Sequence, residues 1–408
     1  MQSNGLGTSG TVAPLWNKAE KIRTAIAGLL ILLLLGLAYL LSSGEQANTA
    51  PISLLMGTAL GILFERGRFC FFCIFREGIE EKNSTPFISV LVAIATGAIG
   101  YSIVFGQFLP DTSSDSLPPG AHISPVSWPL ALAAFAFGIG MTLSGACISG
   151  HLYRLGQGYL RAIPALIGSF FGIALGFLSW NWFYLNAISD APTIWLPHYI
   201  GYSGSLALTL LVLLAIGLIA LKKGTNSEAF RTAPLTDFSL ASTLKRLTTE
   251  RWSPIATGAM VGIIGVIAYL RIEPLGVTRQ ISTTTRTTME NRGIGPEVIN
   301  GIDRMAGCIA VVSDAITNNG WLILGIVVAS FAAALSGNRF KLSKLTPRNT
   351  FTALIGGILL GWGSMISLGC TIGVLLSGTQ AFAISGWVFF AFAFLGVWVG
   401  LKLRLHKS

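Results

Sequence analysis

The sequence predicts an all-α protein that crosses a membrane about nine or ten times. Only 11% of its 408 residues are charged, whereas a soluble domain averages about 25%. Hydrophobic residues make up 52% of the chain, and its mean hydropathy is +0.69. So few charges cannot keep the surface of a soluble enzyme of this size hydrated. The composition therefore excludes soluble enzymes, disordered chains and disulfide-rich scaffolds.

Ten apolar runs approach or reach the length of a membrane-spanning helix, which needs about 20 residues. The run 22–41 exceeds the apolar core of a signal peptide, about 7 to 15 residues, so we expect a retained additional helix. Several runs are short or interrupted by glycine, and some of these should be broken or re-entrant half-helices. The runs are 22–41, 51–64, 87–108, 128–147, 162–181, 204–221, 254–271, 321–336, 351–369 and 386–401.

Basic residues concentrate in alternate connections between these runs. By the positive-inside rule, these connections and both termini are expected on the cytoplasmic side of the membrane. The net charge of +10 therefore indicates orientation in a lipid bilayer and not nucleic-acid binding. The Lys- and Arg-rich stretches are 65–82, 148–161, 222–252, 338–350 and 402–408.

The charge and hydropathy pattern also predicts a division of the chain. We expect a cytoplasmic tail, an additional N-terminal helix, a first half of the helix bundle, a cytoplasmic linker and a second half of the bundle. The corresponding ranges are 1–21, 22–50, 51–221, 222–253 and 254–404. The segment 272–320 carries nearly balanced charges, and we expect short surface helices there.

One motif occurs twice and predicts an internal inverted repeat. The segments 138–150 and 361–373 both read G-x-G-x3-S-x2-C-x2-G, with Cys147 and Cys370 at the same position. By the count of membrane crossings, the first copy ends inside the cell and the second ends outside. Opposite ends of this kind are typical of the inverted repeats found in transporters.

Cysteines beside glycines predict a path for an anion. Gly145 and Gly150 surround Cys147, and Gly369 and Gly373 surround Cys370, so the helix can break and the backbone can approach a substrate. Broken helices at membrane depth occur where they line a cavity or are buried in protein. Their N-termini present unpaired N–H groups that favour negative charge.

Cys70 follows Gly67-Arg68 and is the third candidate thiol, with a cationic partner beside it. Arg68 and Arg154 flank cysteine motifs and are candidates for attracting an anion at the mouths of the path; their alternative role is to anchor the chain at the membrane surface.

Each cysteine also has a simpler interpretation, as a small buried apolar residue. The repeat argues against it for Cys147 and Cys370, whereas it is favoured for Cys73 and Cys308. Cys70 and Cys73 form a C-x-x-C pair that would suit redox chemistry. No second C-x-x-C completes a zinc site, and no phosphate-binding loop indicates an ATP motor, so no metal or other cofactor is predicted.

At these motifs the chain resembles the YeeE/YedE sulfur-transport family of bacterial inner-membrane proteins. The resemblance rests on G-R-F-C at 67–70, SGACISGHLYRLGQG at 144–158 and SLGCTIG at 367–373. The run 274–278 and the closing helix at Gly386-Trp387 also fit. The likeness covers roughly residues 52–404 and leaves the run 22–41 as an added helix.

The resemblance implies uptake of thiosulfate or a related sulfur compound, without catalysis, along a path lined by Cys70, Cys147 and Cys370. It also implies a small cytoplasmic TusA-like sulfur carrier as a partner. This chain departs from the family at Ala146 and Thr371, where glycine and asparagine are more usual. The alternative function is a membrane thiol oxidoreductase that uses Cys70 and Cys73 as its redox pair.

Overall fold

The computed structural model describes residues 17–407 except 45, 110, 115, 225–239, 303–304 and 306–309. The described residues form helices and no β-strand, with one isolated bridge between Trp195 and Ala383. The helices are α1 (Lys18–Leu41), α2 (Ala50–Gly67), α3 (Phe71–Glu80), α4 (Thr85–Phe108), α5 (Trp128–Ser144), α6 (Ile148–Gly156), α7 (Ala162–Phe183), α8 (Leu196–Lys223), α9 (Leu240–Thr249), α10 (Pro254–Arg271), α11 (Arg279–Glu290), α12 (Asn318–Ser336), α13 (Pro347–Ile366) and α14 (Ile384–Lys402), with short helical segments at Tyr184–Ile188, Thr371–Gly378 and Leu405–Lys407.

Nine helices in the described part of the chain are long and apolar enough to cross a membrane. This confirms the predicted all-α polytopic architecture. The remaining apolar run, 51–64, lies in α2. This helix carries the charged pair Glu65 and Arg66 in its last turn, and most of its residues are buried. Helix α2 is therefore shielded from lipid by its neighbours.

Several short helices interrupt the long ones, as expected for half-helices. Helices α3, α6 and the 371–378 segment are 10, 9 and 8 residues long, and each begins directly after a cysteine. None is long enough to cross a bilayer core, which needs about 20 residues. Each therefore ends or starts inside the protein.

Glycines bring long helices from the two predicted halves into backbone contact. A Cβ on Gly140 of α5 would lie 2.7 Å from the Gly356 carbonyl oxygen of α13, and a Cβ on Gly262 of α10 would lie 2.6 Å from the Ala93 oxygen of α4. Small residues allow helices in membranes to pack this closely. We call these contacts the glycine seams; they join α2 with α12, α4 with α10, α5 with α13, α7 with α13, and α5 with α14.

The two copies of the repeated motif run in opposite directions. Gly140 of α5 lies against Gly356 of α13, whereas Gly363, later in α13, lies against Ala133, earlier in α5. Helices α2 and α10 are also antiparallel, since Gly67 at the end of α2 lies against Thr257 at the start of α10. This geometry is that of an inverted repeat.

The segment 272–320 differs from the expectation of surface helices. Helix α11 is buried on more than one side, and Thr283 and Thr285 are fully inaccessible to solvent. Short hydroxyl side chains can bond their own helix, as Thr285 does to the Ile281 carbonyl at 2.8 Å, so a polar sequence can be buried. Most of the predicted tail 1–21, the middle of the linker 222–253 and Cys308 lie outside the described residues.

A buried charge cluster holds the end of the linker against the bundle. Arg339 donates two hydrogen bonds to the Glu65 carboxylate, 2.6 Å and 2.9 Å long, and Glu65 is fully buried. Arg66 donates to the carbonyl oxygens of Thr248 and Glu250. The single Glu65 carboxylate therefore balances the positive charge of the Arg339 and Arg66 guanidinium groups.

Replacing Glu65 by alanine is expected to destabilise the protein by about 3–5 kcal/mol, because it leaves buried guanidinium charge without a counter-ion. Thermal unfolding in detergent measures the effect. The matched control is Glu81→Ala, since Glu81 forms a partly exposed pair with Arg76 at 4.0 Å. That change should cost less than about 1 kcal/mol. Equal losses in the two variants would contradict the structural role of Glu65.

Candidate functional site

Three cysteines occupy the same local position in three separate elements. Cys70, Cys147 and Cys370 each directly precede the first residue of a short helix. Two positions before each cysteine the backbone is left-handed, at Arg68 (φ 54°), Gly145 (φ 89°) and Leu368 (φ 60°). The chain thus ends one helix, turns sharply and starts the next at the thiol.

The serine of the repeated motif stabilises this turn in both copies. The Ser144 hydroxyl lies 2.8 Å from the Gly140 carbonyl oxygen and 3.0 Å from that of Ala146. In the second copy, the Ser367 hydroxyl lies 2.6 Å from the Gly363 oxygen and 2.9 Å from the Gly369 oxygen. The fixed Ser-x-x-Cys spacing therefore reflects one repeated hydrogen-bond pattern that satisfies carbonyls at a helix end.

The structure brings Cys70, Cys73 and Cys147 together in one buried cluster. The Cys70 thiol lies close enough to both of the other thiols to interact with them. The Cys147 sulfur accepts a hydrogen bond from the Gly150 N–H at 3.4 Å and lies 3.2 Å from the Ser149 hydroxyl. All four cysteines in the described part of the chain are free thiols.

Gly150 lies directly against this cluster. A Cβ at this position would lie 2.9 Å from the Cys70 sulfur and 3.4 Å from the Cys147 sulfur, so only glycine leaves room for both thiols. Gly145 supplies the left-handed turn before Cys147. In the second copy Leu368 and not Gly369 is left-handed; Gly369 lies against His122, and Gly373 is buried within the 371–378 segment.

Cys370 lies among a different set of polar groups. The Thr278 hydroxyl and the backbone of Val277, from the loop before α11, are its neighbours, together with the backbone of Ile372 and Gly373. Thr278 directly precedes α11, as Cys70 directly precedes α3. Helix α11 follows α10 as α3 follows α2, so Thr278 and Cys70 hold corresponding places in the order of elements. The motif search missed Thr278 because it followed cysteines.

The two predicted arginines differ in their surroundings. Arg154 is partly buried, and it donates to the Cys73 sulfur at 2.6 Å and to the Gly145 carbonyl oxygen at 2.8 Å. Arg68 is 62% exposed and forms an ion pair with Glu77 at 3.2 Å. It borders a cavity of about 220 Å³ that also reaches Cys73. Arg68 therefore lies where this cavity opens to solvent, and Arg154 lies deeper in the protein.

Cys73 was expected to be a small buried apolar residue, but it lies beside Arg154 and the Cys70 thiol. Its sulfur lies between the Arg68 cavity and the Cys70–Cys147 cluster, next to the guanidinium of Arg154. Its position three residues after Cys70, in the first turn of α3, was the available signal. The structure places it on the same side of the molecule as the first copy of the motif.

Comparison with known proteins extends this picture to the whole chain. The family model described as sulphur transport matches residues 66–399. A thiosulfate transporter, TsuA, of Escherichia coli K12 is 27% identical over 85% of this chain and 92% of its own length. TsuA of Spirochaeta thermophila is also 27% identical, over 85% of this chain and 96% of its own length. A probable transporter, YedE, of Escherichia coli K12 is 34% identical over 21% of this chain and 22% of its own length. With its inverted cysteine motifs inside the matched region, the chain belongs to the sulphur-transport family.

Proposed function

We propose that this protein takes up thiosulfate, or a related anion that ends in sulfur, across the bacterial inner membrane, with both termini in the cytoplasm. The observation that carries the proposal is the repeated placement of Cys70, Cys147 and Cys370 before short buried helices. Relatives similar over most of their length are named thiosulfate transporters, which supports the same substrate class here.

The proposed path runs from Cys370 to the cluster of Cys70 and Cys147, and then past Cys73 to the cavity beside Arg68. A dianion cannot enter a medium of low dielectric unless fixed donors replace its hydration water. The backbone N–H groups at the starts of the short helices are such donors, and so is the guanidinium of Arg154 beside Cys73. Gly150 leaves the space in which the anion meets two thiols.

The thiols act in this proposal as neutral S–H groups. A thiolate about 4 Å from a single negative charge would repel it by about 4 kcal/mol at an effective dielectric constant near 20. A neutral S–H is a weak donor that suits the soft terminal sulfur of thiosulfate, and weak sites allow the ion to leave again. Successive thiols would then discriminate a sulfur-ended anion from sulfate.

A cytoplasmic partner completes the proposal. The Arg68 cavity opens on the face to which the positive-inside rule assigns the cytoplasm. A small TusA-like sulfur carrier would meet the intact thiosulfate there; the carrier's own thiolate would take the outer sulfur as a persulfide, with sulfite leaving into the cytoplasm. In this role the protein delivers its substrate intact and catalyses no reaction.

Thiosulfate labelled separately on its two sulfur atoms tests the function. In right-side-out vesicles both labels should enter at the same rate, and vesicles without the protein provide the baseline. Cys70, Cys147 and Cys370 should carry no persulfide afterwards. Entry of the outer sulfur alone, with sulfite released outside, would show that a thiolate attacks that sulfur and breaks the S–S bond. Such a result would replace transport by enzymatic sulfur transfer, and absence of both labels would refute thiosulfate uptake.

A further inference from the structure

A second polar cavity lies at the opposite end of α2 from Arg68. It has a volume of about 340 Å³, and its walls include Thr49 at the start of α2, Glu273 and Arg279. Helix α2 has 18 residues, so about 27 Å separates this cavity from the one beside Arg68. The two cavities therefore open towards opposite membrane faces.

Arg279 and Glu273 form an ion pair in the wall of this second cavity. Both side chains are partly accessible, 31% and 24% exposed. The Arg279 Nε is buried and has no acceptor among the described residues. Burial raises the pKa of Glu273, while Arg279 acts in the opposite direction. The Glu273 carboxylate is thus partly desolvated. The Nε–H of Arg279 remains available to a ligand, because it has no acceptor among the described residues.

Arg279 is adjacent to the Cys370 end of the proposed path. It directly follows Thr278, whose hydroxyl neighbours the Cys370 thiol. It also acts electrostatically on His122, which lies against Gly369, the residue before Cys370. An anion released from Arg279 therefore has Cys370 as its next neighbouring site.

The inverted repeat gives this pair a counterpart at the other face. Arg68, two residues before Cys70, pairs with Glu77 of α3, and Arg279, the first residue of α11, pairs with Glu273 in the loop before that helix. Each pair borders its own cavity and flanks the residue that precedes a short helix, Cys70 or Thr278. Two arginine–glutamate pairs at equivalent ends of an inverted repeat indicate one function used twice.

We propose that Arg279 is the residue that first binds the oxyanion end of the substrate on the face opposite Arg68, and that Glu273 is a built-in competitor displaced by that anion. This inference rests on the proposed function. The guanidinium fork matches a carboxylate and an oxyanion of sulfur in the same bidentate way. The incoming anion therefore replaces Glu273 at the fork, and the carboxylate is left in the water of the cavity.

Initial rates of labelled thiosulfate uptake into right-side-out vesicles test this exchange, because the two neutralising variants should shift KM in opposite directions. Arg279→Gln should raise KM about tenfold or more, since it removes the binding group. Glu273→Gln should lower KM severalfold, since it removes the competitor. Arg279→Lys keeps the charge without the fork and should give an intermediate KM, which keeps the test informative if Arg279→Gln folds poorly.

Two further variants serve as controls. Glu290→Gln neutralises a glutamate paired with Arg286 at 3.8 Å on the same helix, outside the cavity walls, and should leave KM within twofold. Arg76→Gln breaks a partly exposed pair with Glu81 outside both cavity walls and should leave this KM unchanged as well. A higher KM in Glu273→Gln would overturn the inference, because a purely structural ion pair loses function when either partner is removed. Absence of uptake by the unaltered protein would instead refute the proposed function.

Discussion

Thiosulfate uptake is expected to fall about 100-fold when Cys147 is replaced by alanine, and equally when Cys370 is replaced. A loss of that size corresponds to about 3 kcal/mol of lost barrier stabilisation. Each change removes a sulfur from a fully buried position before a short helix. The fold should survive, because the loss of one capping acceptor costs about 1 kcal/mol. Uptake rates normalised to the amount of folded protein in the membrane measure the effect.

Two control variants separate the chemistry of the thiol from its structural role. Cys147→Ser keeps an acceptor for the Gly150 N–H but removes the soft sulfur, so it should unfold at nearly the original temperature and still fail in uptake. Cys308→Ala should leave uptake largely intact. Uptake at the original rate by Cys147→Ala would refute the cysteine-lined path.

Gly150→Ala is expected to abolish uptake while every cysteine remains in place. The new methyl group would lie 2.9 Å from the Cys70 sulfur and 3.0 Å from the Ala146 Cβ. The thiols of Cys70 and Cys147 must therefore move apart. Overpacking of this kind costs about 1–3 kcal/mol, which a bundle of this size can tolerate. Uptake rate and unfolding temperature are measured together.

Gly106→Ala is the matched control for this change, because nothing lies within 4 Å of a Cβ at Gly106 of α4. It should keep full uptake and gain up to about 1 kcal/mol of helix stability. If Gly150→Ala transported at the original rate, the space between Cys70 and Cys147 would not be part of the path.

Apolar runs and repeated glycines carried most of the fold information in the sequence. The run 254–271 coincides with α10, and 87–108 nearly coincides with α4. The run 204–221 underestimates α8, which begins at Leu196 and passes through a non-helical backbone at Gly201. Tyr199 and Gly201 dilute the apolar signal there, although both lie in the same helix.

The motif also predicted part of the candidate site. Its spacing identified Cys147 and Cys370 because one hydrogen-bond pattern around the serine repeats at both turns. The left-handed residue Leu368 was not predictable, since the sequence suggested glycine for such a turn. Thr278 and Cys73 join the site through contacts between elements distant in sequence, which no local pattern encodes.

The glycine seams constrain how such a protein can move. Each seam joins a helix of the first predicted half to one of the second, and α13 is held between α5 and α7. A rocking motion of one half against the other would have to separate all five seams at once and expose backbone surface that no side chain covers. In the proposed function, passage of substrate then depends on small local displacements, such as rotation of thiols and opening of arginine–glutamate pairs. The uptake kinetics of such a protein should resemble those of a narrow pore with a low energy barrier.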